Sequence, residues 1–211
     1  MDLGWVEARL NRRLDAAEGH LASFLQRAAT PLGTGEVYEL EGWLSEVWQV
    51  WCRFCRHVVM ASCSGCQTSS GVSLAASHAS PDVVSFIASR QRNGQAPASH
   101  GTNTIYQKEP TWGHVDKLLE VIQALNPPNR ANLLSAFGTL PAIEHVRLVR
   151  NATAHRNVQS LAQVLAFQSQ YLAQSLRHPL HALFWTDPST GRSLIHSRLD
   201  EMRVGAKNAC A

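Results

Sequence analysis

Apolar residues recur at helical spacing through most of this chain, and this pattern limits it to a helical fold. Between residues 3 and 29 they follow one another at steps of three and four with charges between them: Leu10, Leu14, Ala17, Leu21, Leu25 and Ala28. A second stripe lies between residues 37 and 61, and Trp43 and Trp48 widen it: Leu40, Leu44, Val47, Trp51, Phe54 and Val58. We therefore predict two long amphipathic helices. The second should be largely buried at the centre of a bundle.

Shorter helices are predicted in the rest of the chain from residues that mark helix ends. Ser80-Pro81-Asp82 combines an N-cap residue, a first-turn proline and a first-turn acid, which predicts a helix to about Arg92. Asn126-Pro127-Pro128 should end a helix that Thr111 caps. The remaining helices are expected from 129 to 137, from Pro141 onward, and from 158 to about 176, before Pro179.

Two irregular segments and the tail depart from this pattern. Residues 62–80 and 93–111 are rich in small and polar residues, and long irregular loops often border a site or a partner. In the tail, residues 181–197 contain two short apolar runs around a turn, which predicts a β-hairpin before a last short helix near 198–204. The expected fold is an all-α helical bundle over residues 1–178, with a small C-terminal β-hairpin and the short helix appended over 179–211.

Composition limits the class of protein. The chain has 211 residues, 45% of them hydrophobic, which is enough for one domain with a proper core. Its longest apolar runs are interrupted by polar residues, and Met1 to Trp5 has no feature of a signal peptide, so we expect a cytoplasmic protein that does not enter a membrane. The net charge of +3 does not itself indicate nucleic-acid binding. The excess of Arg over Lys suits phosphate binding but fits a codon bias equally well.

Four cysteines form the pattern C-x2-C-x7-C-x2-C: Cys52, Cys55, Cys63 and Cys66. Two C-x2-C pairs are typical of a tetrahedral zinc site, so a zinc-stabilised helical interaction module is one interpretation. The other is that they are reduced structural thiols, because the first pair lies within the predicted buried helix and the second follows closely. We predict no stoichiometric zinc.

One hexamer combines residues suited to phosphodiester chemistry, Arg150-Asn151-Ala152-Thr153-Ala154-His155. Arg keeps its charge, the Asn amide can orient a neighbour, and imidazole titrates near neutrality. By chance the pattern R-N-x-x-x-H would occur only about 0.03 times in a chain of this composition. On a continuous helix, Arg150 and His155 would diverge by about 140°. Either the helix ends between them, or two copies of the hexamer face each other across a dimer.

The hexamer resembles the signature of the HEPN superfamily, small all-α domains whose motif is Arg, about four to six residues, then His. This resemblance implies a HEPN-like bundle, a motif at a helix end and a site composed across a homodimer. It also implies metal-independent RNA cleavage to a 2′,3′-cyclic phosphate and a 5′-hydroxyl, with no cofactor. Members often act as toxins or in antiphage defence, so an antitoxin or defence-system protein is the expected partner.

Chemical roles follow for the residues of the hexamer. Arg150 would neutralise charge on the phosphate and His155 would transfer a proton, while Asn151 would orient the His ring or hold a phosphate oxygen. Substrate binding is expected from Thr153, which would add a hydroxyl contact, and from Arg147 and Arg156, which flank the hexamer. Without the resemblance, the hexamer also fits a structural helix end, with a cation near the C-terminus of the helix.

Two further interpretations stay open at this point. The chain is an active ribonuclease, or it is a non-catalytic HEPN-like scaffold that dimerises or binds a partner protein.

Glu109-Pro110-Thr111-Trp112 is a second candidate site, where an acid beside an aromatic would hold a base, although a hydrophobic staple by Trp112 explains it too.

Overall fold

The computed structural model describes residues 1–28, 32–96 and 101–211 and is predominantly helical. The α-helices are α1 (Leu3–Arg27), α2 (Thr34–Ser64), α3 (Pro81–Arg92), α4 (Val115–Leu125), α5 (Arg130–Gly138), α6 (Glu144–His155), α7 (Val158–Ala166) and α8 (Leu194–Cys210). Short 3-10 helices lie at Tyr106–Lys108, Pro141–Ile143, Gln168–Gln170 and Pro179–Phe184. Strands β1 (Cys66–Gln67) and β2 (Ser73–Leu74) pair antiparallel, with Cys66 opposite Leu74. No helix within these described ranges is long and apolar enough to cross a bilayer.

The chain divides into two units, and residues of α1, α2 and α8 are shared between them. Unit 1 contains Met1–Asn11, Trp51–Pro141 and Arg203–Ala211. In its core, Trp51 stacks on Phe54 at 5.5 Å and meets the edge of Phe137 at 6.0 Å, measured between ring centroids. Helix α4 packs against both α3 and α5 in this unit.

Unit 2 contains Arg12–Val50 and Ala142–Met202. Its core includes an aromatic cluster in which Phe167 meets Tyr171 and Trp185 edge to face, with centroids 6.0 and 5.9 Å apart. Helix α6, which carries the hexamer, packs against α7 and against the 3-10 helix Pro179–Phe184.

Several local signals in the sequence are confirmed. The Ser80 side chain accepts a hydrogen bond from the Val83 amide and Pro81 begins α3, as an N-cap and first-turn proline should. Asn126 adopts the left-handed conformation, with φ 47°, and ends α4. The predicted stripe of α2 is buried throughout, whereas Leu25 of the α1 stripe is exposed. The last residue of the predicted first segment, Ala29, lies outside the described residues, as do Thr30 and Pro31.

The predicted C-terminal β-hairpin is wrong. Residues Pro179–Phe184 form a 3-10 helix, and only a single antiparallel bridge, Thr186 to Ser193, remains at the predicted turn. From Leu194 onward the chain is α8, because its buried side chains recur at helical spacing: Leu194, Ile195, Leu199, Met202 and Ala206. The predicted short helix near 198–204 is therefore part of a longer one.

Three other boundaries differ from prediction. The helix predicted from 158 to 176 ends at Ala166, since Tyr171 packs into the aromatic cluster and Leu172 pairs with Thr186. The α4 cap is His114 instead of Thr111, and its ring nitrogen accepts from the Lys117 amide. The segment 62–80 is not wholly irregular, because it contains the end of α2 and the β1–β2 hairpin.

Candidate functional site

The hexamer occupies the C-terminal half of α6, whose last helical residue is His155. The helix stops there because Arg156 adopts the left-handed conformation, with φ 45°, while its amide still donates to Ala152 O at 3.0 Å. The next helix starts at once, since the Asn157 side chain accepts from the Ser160 amide at 2.8 Å and caps α7. This arrangement confirms that the hexamer lies where two helices meet.

Arg150 and Asn151 form a direct side-chain contact. The Arg150 guanidinium donates through Nη1 to Asn151 Oδ1 at 3.2 Å, and both side chains are half-buried. In this conformation the amide of Asn151 therefore orients Arg150. A guanidinium held in this way keeps further N–H donors for an anionic ligand.

His155 is exposed at the end of the same helix. Because α6 continues from Glu144 through His155, it does not end between the Arg and the His, and the first of the two geometric alternatives is excluded. Five helical positions rotate the two side chains by about 140° and separate their Cα atoms by about 7.5 Å along the axis. One copy of α6 therefore presents its Arg and its His in different directions.

The three residues expected to bind substrate differ in their exposure. Thr153 is buried, and its hydroxyl donates to the Arg150 carbonyl oxygen at 2.7 Å, so the structure places it inside the helix packing. Arg147 is half-buried and paired with Glu144 one turn earlier. Arg156 is exposed beside His155.

Glu41 and His178 lie close to the end of the hexamer, although sequence analysis did not single them out. Arg156 Nη2 donates to Glu41 Oε1 at 2.9 Å, and His178 Nε2 lies 3.7 Å from the same oxygen. The pKa of His178 is lowered mainly by burial, with Glu41 acting in the opposite direction. No spacing rule connects residues this far apart in sequence, since Glu41 precedes Arg156 by 115 positions.

His145, on the buried side of α6, belongs to the core. Its ring stacks on Phe167 at 4.0 Å, and Nδ1 shares a 2.7 Å hydrogen bond with the Tyr171 hydroxyl. Burial, followed by the charge of Arg198, lowers the pKa of His145 to about 4, so the ring is neutral at neutral pH. This placement agrees with a structural histidine.

The second candidate, Glu109 with Trp112, forms a buried network in unit 1. Glu109 is 7% exposed, and its carboxylate accepts from Arg56 Nε at 2.7 Å and Nη2 at 2.9 Å, from Ser85 Oγ at 2.6 Å and from Trp112 Nε1 at 2.7 Å. Burial alone would raise the pKa of Glu109, but the donors from Arg56, Ser85 and Trp112 outweigh it and lower that pKa. The carboxylate of Glu109 is used by donors of the protein itself, so we interpret Glu109 as a residue that stabilises the fold.

The cysteines are reduced and mostly buried. Burial raises the pKa of Cys55 well above its usual value and that of Cys63 to about 12. Among the residues that the structure describes, no group of three or more His, Cys, Asp or Glu side chains is arranged to hold a metal ion. The four clustered cysteines therefore do not form a preassembled metal centre in this conformation.

No family model, curated protein or solved structure matches the chain. The site is therefore defined by its own geometry: an Arg–Asn pair and an exposed His on one helix that ends at the His.

Proposed function

We propose that this protein is a HEPN-like, metal-independent endoribonuclease whose catalytic residues are Arg150, Asn151 and His155. The observation that carries the proposal is the placement of the R-N-x-x-x-H hexamer at the end of α6, with His155 exposed and Arg150 held by Asn151. A guanidinium held by its neighbour and a solvent-accessible imidazole on the same helix are the two groups that general acid–base chemistry on a phosphodiester needs.

The reaction would use the 2′-hydroxyl that distinguishes RNA from DNA. A neutral His155 removes the 2′-hydroxyl proton as the 2′-oxygen bonds to phosphorus. Arg150 neutralises the charge on the non-bridging oxygens. The bond from phosphorus to the 5′-oxygen then breaks. The imidazolium that His155 became by taking the first proton donates a proton to this oxygen. The products are a 2′,3′-cyclic phosphate and a 5′-hydroxyl.

A site composed of residues from two protomers would bring an Arg150 and a His155 together, although the two side chains diverge on one copy of α6. In a C2 dimer the same surface of both copies meets itself, so Arg150 of one protomer lies near His155 of the other. Arg147 and Arg156 would extend the phosphate-binding surface on either side.

The expected setting is a cytoplasmic toxin or antiphage-defence effector that is restrained by an antitoxin or another defence protein. This part of the proposal depends on the resemblance of the hexamer alone. If the protein dimerises through α6 but cleaves no RNA, it is instead the non-catalytic scaffold.

The experiment is cleavage of 5′-labelled single-stranded RNA by the purified full chain in EDTA, with analysis of the product ends. The proposal expects 2′,3′-cyclic phosphate ends, and a loss of about a hundredfold or more in rate for Arg150→Ala, since a key charge stabiliser is removed. Arg130→Ala removes an exposed arginine of α5 and should leave the rate unchanged. Cleavage that stops in EDTA, or 3′-hydroxyl ends, would contradict the proposal.

A further inference from the structure

Two exposed aromatic rings of unit 1 are each covered by an arginine. Trp5 on α1 is 52% exposed, and the Arg9 guanidinium carbon lies 5.4 Å from its ring centroid. Tyr106 is 69% exposed, and the guanidinium carbon of Arg56 lies 4.8 Å from its ring centroid. Such contacts fix the rings and hold cations beside them. Large aromatic side chains usually bury most of their area. Two exposed rings, each with an arginine against it, are therefore unusual within one unit.

His57 follows Arg56 on α2 and lines one cavity together with Arg56 and Tyr106. Burial is the main cause that lowers the pKa of His57, and the charges of Arg9, Arg56 and Arg53 lower it further. These arginines come from α1 and α2, and their charges gather around one imidazole. The acidic group closest to Arg56 is Glu109, which is buried beneath it and faces inward. This pairing offsets the charge of Arg56, so the positive charge at this surface comes from the exposed Arg9 and Arg53.

A cavity opens beside Tyr106 and Arg56. Its volume is about 280 Å³, and the residues around it include Arg56, His57, Met60, Asp82 and Tyr106. This volume is close to the lower end of about 300 Å³ for small-molecule pockets. Its walls combine an aromatic ring, apolar side chains and one carboxylate, which are the contacts that a flat heterocycle with an amino group needs.

We infer that this Trp5–Tyr106 surface, formed by Trp5, Arg9, Arg56, His57 and Tyr106 with the adjoining cavity, binds single-stranded RNA. Bases stack on the two rings, the arginines contact phosphates, and one base enters the cavity, where Asp82 accepts from its amino group. Stacking on side chains requires bases that are not already paired, so a duplex does not fit. The choice of RNA rests on the proposed function, whereas the stacking and charge do not depend on the hexamer.

The test measures binding of a fluorescein-labelled single-stranded RNA by anisotropy, in His155→Ala protein so that the RNA stays intact. Trp5→Ala with Tyr106→Ala should weaken binding about tenfold or more, since each lost stack is a substantial part of the affinity. Tyr38→Ala removes an equally exposed ring of unit 2 and should leave the affinity unchanged. Circular dichroism confirms that each variant remains folded.

Salt dependence gives a second, independent readout. Arg9→Gln should reduce the slope of log Kd against log salt by about 0.7, the value for one phosphate contact to a single strand. Arg130→Gln, in the same unit, should not change the slope.

Unchanged affinity in the Trp5→Ala/Tyr106→Ala variant, or equally tight binding of duplex RNA, would overturn the inference even if the wild-type protein cleaves RNA. Loss of affinity in that variant supports it even if the wild-type protein cleaves nothing, in which case only the proposed function fails. If single-stranded DNA binds as tightly as RNA, and its affinity depends on the same two rings, the result would support a surface that contacts bases and phosphates.

Discussion

Arg150 and His155 lie on one continuous helix, α6, and leave its axis in directions about 140° apart. The helix ends after the His, at the left-handed residue Arg156. A single phosphate is therefore difficult for one copy of α6 to reach with both side chains, and the arrangement favours a site built from two copies.

Mixing two inactive variants tests this composite site. Arg150→Ala protein still supplies His155, and His155→Ala protein still supplies Arg150. When they are unfolded and refolded together in equal amounts, half of the dimers are mixed, and each mixed dimer has one complete site. The expected activity is about a quarter of the wild-type rate, measured by RNA cleavage.

Each variant refolded alone is the control and should stay inactive. If both residues of a site came from the same protomer, no mixed dimer would contain a complete site. An inactive mixture, although size-exclusion chromatography shows mixed dimers, would therefore exclude the composite arrangement.

The buried network around Glu109 makes a prediction about stability. Glu109→Gln leaves the Arg56 guanidinium without its carboxylate, and should lower the free energy of unfolding by about 2 to 3 kcal/mol, somewhat less than for a fully buried pair because Arg56 is partly exposed. Glu120→Gln breaks the exposed pair with Lys117 and should cost about 0.5 kcal/mol or less. Urea unfolding of both variants measures the difference, and equal small losses would show that the network contributes little.

The buried His145 predicts a dependence of stability on pH. Its pKa falls from 6.5 to about 4 on folding, so below pH 6.5 the unfolded chain binds a proton that the folded protein excludes. Its stabilising contribution is complete above pH 6.5 and is lost as the pH falls toward 4. Between pH 6.5 and 4.5 the loss should be about 2 to 3 kcal/mol.

His145→Phe keeps a ring against Phe167 but cannot take up a proton. Its unfolding free energy should therefore fall less over the same pH interval, and the difference from wild type isolates this one residue from the other titrating groups. If the unfolding free energy falls equally with pH in the two proteins, His145 is not the group that causes the loss of stability.

The buried thiols should be unreactive and free of metal. Burial keeps the thiols of Cys63 and Cys210 protonated, with a pKa of about 12 each, whereas both alkylation and zinc binding require thiolates. Native protein should react with a thiol reagent at Cys52 at most, and protein purified without chelator should carry well under one zinc per chain. One bound zinc, together with unfolding of Cys63→Ser, would instead identify the cysteines as ligands.

Sequence analysis predicted the parts of the fold that depend on local chemistry. The cap at Ser80, the end of α4 at Asn126 and the buried stripe of α2 each follow from a few neighbouring residues. It failed where distant contacts decide the structure. Tyr171 has helical spacing with the residues before it, yet it packs against His145 and Trp185 and the chain leaves the helix.

In the candidate site, too, the sequence predicts features that depend on neighbouring residues and misses those that depend on distant contacts. The position of the hexamer where two helices meet follows from the sequence, because one helix is predicted from Pro141 onward and the next from residue 158. The Glu41 contact with Arg156 and the arginine-covered rings of Trp5 and Tyr106 join residues that are far apart in the chain or depend on which face is exposed. No local spacing encodes them.

His155→Ala tests whether the exposed histidine at the end of α6 performs RNA cleavage. The matched control is His20→Ala, since His20 is also an exposed helical histidine of unit 2. Cleavage of single-stranded RNA in EDTA is compared for wild type and both variants, with folding checked by thermal unfolding. We expect His155→Ala to abolish cleavage and His20→Ala to retain it. Full activity in purified, folded His155→Ala protein would contradict the assignment.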